Sequence, residues 1–131
     1  NLHRQVVRSH GLLLAGVEGS IRYSGKTSYQ YTQRQMWAHI LSLAPILFYN
    51  KVRFDRYLDI FISHAPPHGV HEGKDWAHQG IRAFRWLIDT FQPRFYFHGH
   101  IHHYNPGDTI TTRLGHTKVF NTYRYLVTEF E

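Results

Sequence analysis

The sequence predicts a layered α/β protein with a central strand–helix–strand unit, and three patterns support this prediction. Residues 57–63 and 94–97 are short apolar runs of the kind that form buried strands. Residues 80–91, which lie between them, carry apolar side chains at the three- and four-residue spacing of an amphipathic helix. A strand, a helix and a second strand in this order predict a parallel pair of strands joined by a right-handed crossover.

The first 30 residues add two strands and a loop. Residues 5–8 and 12–17 are typical of two strands around a turn at His10-Gly11. The second of these is apolar throughout, as a strand covered on both faces is. Residues 16–30 are rich in Gly, Ser and Tyr, which favours a long loop.

A long helix and a C-terminal hairpin complete the expected elements. Thr32 is a suitable cap for a helix that reaches about Lys51, with a break or kink expected at Pro45. Residues 109–114 and 118–127 favour a hairpin or a pair of edge strands.

Composition limits the class of protein. The 131 residues carry a formal net charge of +6 and no cysteine, so disulfides and thiolate metal sites are excluded. No apolar run approaches the roughly 18 residues that span a bilayer, so we expect no membrane partner and a cytoplasmic protein. The basic balance favours anionic partners, although a solvated basic surface explains it equally well. Residues 1–131 contain no linker or repeat, and we expect a single domain.

Histidines follow two of the predicted strands at equivalent places. His64 comes directly after residues 57–63, and Gly99-His100-Ile101-His102 comes just after residues 94–97. In open α/β sheets, ligands bind at the carboxyl ends of the strands, so these side chains should meet. One histidine at a strand end is usually structural, but three in this arrangement favour a metal site. Imidazole suits Zn, Mn, Fe and Ni, so the ligands leave the metal open.

These residues resemble the calcineurin-like metallophosphoesterase superfamily. The resemblance rests on Ser63-His64-Ala65-Pro66-Pro67, on His98-Gly99-His100-Ile101-His102, and on Leu14–Ser20, which is similar to a strand and loop of that family. It implies a β-sandwich flanked by helices and a dinuclear centre of Mn, Zn or Fe that hydrolyses phosphomonoesters or phosphodiesters. By the same resemblance, His64 and His100 would bind one metal and His102 the other.

The sequence lacks three other motifs of that family. No Asp-x-His, Gly-Asp-x-x-Asp or Gly-Asn-His-Asp/Glu is present. Those motifs precede the segment that this chain resembles, so we expect the C-terminal half of a phosphoesterase domain, which the non-Met start also favours. Because two dications repel each other strongly without bridging carboxylates, we expect at most one weakly held metal and negligible turnover in this chain alone.

Further residues are candidates around the site. His68 and His71 follow His64 on a polar loop with His78 and Lys74, and we take His68 and His71 as catalytic candidates on the side of the substrate or leaving group. Exposed loop histidines are also often idle. Two smaller expectations complete the set: support of the site by Asn121 and Tyr123, and anion contact by Arg22 and Lys26.

A second class of function remains open from the sequence. A degenerate metal half-site with a basic surface is also compatible with a non-catalytic module that binds anions, RNA or protein, since aromatic residues among Arg and Lys can stack bases. No recognised RNA-binding motif is present, so nucleic acid is the less favoured partner. A separate N-terminal half, or self-association through exposed sheet edges, are further expected partners.

Overall fold

The computed structural model describes residues 1–25, 28–102, 110–123 and 126–129. Eight strands and two helices are present in these ranges. In chain order they are β1 (Gln5–Ser9), β2 (Leu12–Val17), β3 (Ser20–Ile21), β4 (Gln30–Tyr31), α1 (Gln33–Phe54), β5 (Ile60–Ser63), α2 (Arg82–Phe91), β6 (Phe95–His98), β7 (Thr111–Leu114) and β8 (Thr117–Asn121). A short 3-10 helix spans Trp76–His78, before α2.

Six of the strands form one mixed sheet in the order β1-β2-β5-β6-β8-β7. The four central strands are parallel to one another, and β1 and β7 are antiparallel edges. The parallel pairing of β5 with β6 through α2 confirms the predicted strand–helix–strand unit, and the sheet with its two helices confirms the layered α/β class. β7 and β8 form the predicted hairpin.

The main core lies on one face of this sheet. Ala15, Phe61, Tyr96 and Val119 occupy neighbouring register positions on the four central strands, and all four are fully buried. They belong to the same apolar cluster as the inward residues of α1 and α2, and the Phe61 ring lies 5.7 Å from the ring of Phe84. The helices therefore cover the face of the sheet on which these four side chains lie.

The helix α1 begins as predicted but does not break at Pro45. Thr32 and Gln35 form a reciprocal capping box at its start. Proline removes one helical hydrogen bond, and the carbonyl that loses its donor here belongs to Leu41, which is 51% exposed. Water can satisfy a carbonyl on that exposed side, so the helix continues through Pro45. It ends at Phe54, slightly beyond the expected end near Lys51.

Three other sequence predictions need correction. The strand predicted for residues 57–63 starts only at Ile60. The Tyr57 carbonyl accepts from the Asn50 side chain at 3.1 Å, and the Leu13 amide donates to the Asp59 carboxylate at 2.8 Å although the Asp59 backbone still bonds to Leu13 and Phe95. The strand predicted for 118–127 ends at Asn121. The loop predicted for 16–30 contains β3 and β4, which pair with each other in parallel.

The close approach of β2 and β5 requires a glycine. A Cβ at Gly16 would lie 2.8 Å from the carbonyl oxygen of Ile62, so any larger residue would push the two strands apart. Along the part of the chain that the structure describes, neither helix has the length and apolar character needed to cross a membrane.

Candidate metal-binding site

The parallel strands β5 and β6 bring the two histidine motifs to one edge of the sheet. β5 ends at Ser63 and β6 at His98, so His64 and the turn at residues 99–102 follow neighbouring strand ends. The two turns are joined directly, because the Gly99 amide donates to the His64 carbonyl at 3.0 Å. The predicted convergence of His64 and His100 is present.

The rings of His64 and His100 meet through one nitrogen each. His64 Nε2 and His100 Nδ1 are 2.9 Å apart. The other ring nitrogen of His100, Nε2, lies 2.8 Å from the Ala77 carbonyl, which can only accept a hydrogen bond. In the neutral imidazole Nε2 of His100 therefore carries the proton and Nδ1 has the lone pair, so His64 is the donor between the two rings.

His100 adopts an uncommon backbone conformation. Its φ angle is 65°, in the left-handed region that non-glycine residues rarely occupy. Such strain persists only where surrounding contacts fix it, and it concentrates at functional sites. Here the strain turns the His100 ring toward His64 and the Ala77 carbonyl.

The geometry of this pair fits one divalent ion. Two nitrogens each about 2.1 Å from one metal lie about 3.0–3.4 Å apart at octahedral to tetrahedral angles, close to the observed separation. A ligating histidine usually donates its second N–H to a carbonyl or carboxylate, as His100 does to Ala77. Within residues 1–25, 28–102, 110–123 and 126–129, no three His, Asp or Glu side chains form a group that could hold a metal.

His102 is separate from this pair in its contacts. Its ring stacks on Tyr123, with 4.8 Å between ring centroids and 29° between planes. It is still close enough to act electrostatically on His64, since burial and then the charges of His100 and His102 lower the pKa of His64. A lowered pKa keeps His64 neutral near pH 7, which is the form that binds a metal.

The end of β8 holds the turn that carries His100 and His102. Asn121 donates from Nδ2 to the Ile101 carbonyl at 2.9 Å, and the Thr122 amide donates to the His98 carbonyl at 2.7 Å. Asn121 is 3% exposed, and its Oδ1 is buried without a hydrogen-bond partner. Tyr123 lies beyond β8 and contacts His102. The supporting roles expected for Asn121 and Tyr123 stay predictions.

His78 and Asp75 add a pair that the sequence did not single out. Nδ1 of His78 lies 2.7 Å from the Asp75 carboxylate, and this hydrogen bond lowers the pKa of Asp75. The His78 ring is 4.9 Å from the ring of His100. An Asp-x-x-His spacing before a helix is the only sequence signal for this pair, and it is weak without the fold.

The two catalytic candidates of the loop have other neighbours. His68 is exposed, and its Nδ1 lies 3.2 Å from Glu72, which also accepts from the Gly80 amide. Both ring nitrogens of His71 contact residues other than His64: its Nδ1 is 2.9 Å from His98 Nε2, and its Nε2 is 2.8 Å from the Thr112 hydroxyl. Their catalytic roles stay predictions.

An open cleft of about 430 Å³ has His64 and His100 in its wall. Glu18, directly after β2, lines this cleft and also a neighbouring one of about 350 Å³ that shares His64. The Glu18 carboxylate accepts from the Tyr31 hydroxyl at 3.1 Å. Of the two expected anion-contacting residues, Arg22 reaches instead toward Gln35 at 3.4 Å, and Lys26 lies outside the described residues.

Comparison with known proteins gives the fold and no more. No family model and no curated protein matches the chain. Among solved structures, TT1561 of Thermus thermophilus is 22% identical with a TM-score of 0.59, over 94% of this chain and 49% of its own. A second is 17% identical with a TM-score of 0.60, over 93% of this chain and 45% of its own. The chain thus spans about half the length of these proteins.

Proposed function

We propose that this chain is part of a metal-dependent phosphoesterase that hydrolyses phosphomonoesters or phosphodiesters. The observation that carries the proposal is the meeting of His64 Nε2 and His100 Nδ1, 2.9 Å apart, at the carboxyl ends of neighbouring parallel strands. The resemblance of the two motifs to metallophosphoesterases, the basic net charge and the adjoining cleft support it further.

His64 and His100 would hold a divalent ion through Nε2 and Nδ1. A bound ion would supply Lewis-acid stabilisation of charge on phosphoryl oxygens and activation of water. His64 Nε2 donates to His100 in this arrangement, so that proton must leave Nε2 before the nitrogen can bind an ion. In the neutral ring this is a tautomer change that moves the proton to Nδ1, and it releases no proton. Metal binding should nevertheless become weaker as the pH falls, because the protonated imidazolium has no free nitrogen for an ion.

The residues around the pair have defined roles in this proposal. The Ala77 carbonyl fixes the tautomer of His100, and Asn121 fixes the turn that carries it. His78, held by Asp75 beside His100, would contact a phosphate or its leaving group from the side of the 3-10 helix. Glu18 contributes a carboxylate to the same cleft.

A complete dinuclear centre needs ligands beyond these. The family motifs that supply bridging carboxylates are missing from the sequence, so we propose that they come from residues outside this chain. His102 would then turn to the second ion. The chain by itself would bind one ion weakly and turn over little substrate.

Calorimetric titration of the purified chain with Zn²⁺ and Mn²⁺ tests the proposal. We expect about one ion per chain, and His64→Ala and His100→Ala should each weaken binding by at least about tenfold. The exposed His116 lies on the β7–β8 turn, so His116→Ala is the matched control and should leave the affinity nearly unchanged. Binding that survives both site substitutions would contradict the proposal.

A further inference from the structure

Two exposed tyrosines line the cleft that contains His64 and His100. Tyr23 is 54% exposed and Tyr29 is 68% exposed, and both contribute to the wall of the 430 Å³ cleft. Exposed aromatic rings around a cleft of this size are typical of sites that bind flat organic groups. Tyr29 also has a φ of 58°, which a tyrosine rarely adopts.

The segment that carries these tyrosines is built through specific contacts. Gln30 accepts three hydrogen bonds at its Oε1: from the Tyr23 amide at 3.3 Å, the Ser24 amide at 3.2 Å and the Ser24 hydroxyl at 3.0 Å. The Ser20 amide donates to the Tyr29 carbonyl at 3.0 Å. The contact with β3 and the direct connection to β4 thus hold the strained conformation of Tyr29. The backbone of both Tyr23 and Tyr29 is fixed by hydrogen bonds.

Tyr23 and Tyr29 together form what we call the aromatic wall of the cleft. A second glycine is required at its base. Gly19 has a φ of 89°, and a Cβ there would lie 2.7 Å from the Tyr29 carbonyl oxygen and 2.6 Å from the ring of Tyr31. Only glycine permits this approach. The base of the aromatic wall is therefore packed as tightly as the strands beneath it.

The aromatic wall is connected to the histidine pair by one element. The indole of Trp76 donates to the Arg22 carbonyl at 2.9 Å, which ties the 3-10 helix to the residue before Tyr23. The next residue of that helix, Ala77, accepts from His100. The distance between the aromatic wall and the histidines is therefore set by Trp76 and Ala77 together.

We propose that this cleft takes phosphate esters that carry an aromatic ring, with the ring on Tyr23 or Tyr29 and the phosphate toward His64 and His100. The inference rests on the proposed function, and it adds the class of substrate. A cleft of about 430 Å³ accommodates a ring together with a phosphate. Stacking on tyrosine is tolerant of the ring's identity, so a nucleotide and an aryl phosphate share the required chemistry.

Binding of matched ligands to the Zn²⁺-loaded chain separates ring from phosphate. AMP and ribose 5-phosphate share the phosphate and sugar, so AMP should bind about tenfold more tightly through its ring. At least one of the single variants Tyr29→Ala and Tyr23→Ala should remove that advantage, and the double variant should remove it in either case. Tyr29→Phe should keep it. Tyr49→Ala is the matched control, because Tyr49 is 58% exposed on α1 and does not line the cleft.

Phenyl phosphate and glycerol phosphate separate the two sources of the ring. Tight binding of phenyl phosphate, relative to glycerol phosphate, would assign an aryl ester as well as a nucleotide; a preference for AMP alone would assign the nucleotide. Equal affinity for AMP and ribose 5-phosphate would overturn the inference and leave the proposed function intact.

Binding of adenosine, which has the ring but no phosphate, distinguishes a failure of the proposed function from a failure of this inference. It should bind to wild type and to His64→Ala alike, and its binding should fall with the tyrosine substitutions. If adenosine binds in this way but AMP gains nothing from its phosphate, both the phosphoesterase proposal and the ester class are overturned.

Discussion

Two histidine pairs lie at the same edge of the sheet with the same separation between nitrogens, yet their surroundings differ. His64 and His100 line an open cleft, while His71 and His98 do not line it, and His98 is only 1% exposed. Both contacts measure 2.9 Å. The distance between rings therefore does not distinguish a ligand pair from a structural pair.

Burial and access, rather than hydrogen-bond direction, separate the two pairs. In each pair one ring donates to a backbone carbonyl and accepts from the other ring. Nδ1 of His98 lies 3.0 Å from the Gly99 carbonyl and must donate to it. With neutral rings, His71 then donates to His98 and accepts from Thr112. The network thus runs from the half-buried Thr112 and His71 to the buried His98. His64 and His100 instead meet where a cleft gives access. The burial of His98 among satisfied partners identifies the His71–His98 pair as structural, and access from the cleft identifies the His64–His100 pair as the site. A positive φ occurs in both pairs, at His71 and at His100, and does not distinguish them.

The largest expected difference is in stability. His98→Ala leaves a cavity and removes the acceptor of the His71 hydrogen bond, and should lower the free energy of unfolding by about 3 kcal/mol. His100→Ala, at the partly exposed turn, should lower it by less than about 1 kcal/mol. Urea denaturation of both variants measures the difference. Equal losses would mean that the two pairs are alike and that the comparison fails.

The next effect concerns the contact that holds the ligand turn. Asn121→Ala removes the hydrogen bond to the Ile101 carbonyl, and should cost about 1–2 kcal/mol and weaken metal binding about tenfold. Thr122→Val is the control, because the Thr122 amide still donates to the His98 carbonyl after its hydroxyl is lost. Undiminished metal affinity in Asn121→Ala, measured by calorimetry, would remove its positioning role.

The smallest expected effect is the pH dependence of stability. Burial and the charges of His100 and His102 lower the pKa of His64 below its ordinary 6.5. The folded chain thus binds this proton less readily than the unfolded chain, so stability is full above about pH 6.5 and falls as the pH drops through the folded pKa. The pKa of His39 shifts in the same direction, mainly through burial, and adds to the same slope.

Replacing His64 should therefore flatten that slope. Between about pH 7.5 and pH 5, the melting temperature of His64→Gln should fall by about 1–3 °C less than that of wild type. His116→Gln, on the exposed β7–β8 turn, is the control. Identical slopes in wild type and His64→Gln would show that His64 is not desolvated as its surroundings indicate.

The elements of the fold could be predicted because their signals are local. The apolar run at residues 12–17 and the helix spacing at 80–91 each depend on a few neighbouring residues, and both are present in the structure. The strand starting at Ile60 was predicted too long because apolar residues 57 and 58 pack into the apolar cluster instead of pairing. The break expected at Pro45 was wrong because this proline lies on an exposed helix face. The carbonyl that its missing N–H leaves without a donor can bond to water there at little cost.

The site was predictable only in part, because its contacts join residues that are far apart along the chain. His64 and His100 could be paired because parallel strands end at a common edge. The difference between His71 and His68, the tie of Asp75 to His78, and the Ala77 carbonyl on His100 depend on how one loop folds back over that edge. Spacing along the chain does not carry that information.

The most direct test follows the histidine rings by ¹⁵N-edited NMR while Zn²⁺ is added to the chain. We predict that the ring nitrogens of His64 and His100 shift together at stoichiometric metal, with loss of the proton from His64 Nε2, while His71 and His98 keep their tautomers. Shifts confined to His71 and His98, or equal shifts in both pairs, would contradict the assignment of His64 and His100 as the metal-binding pair.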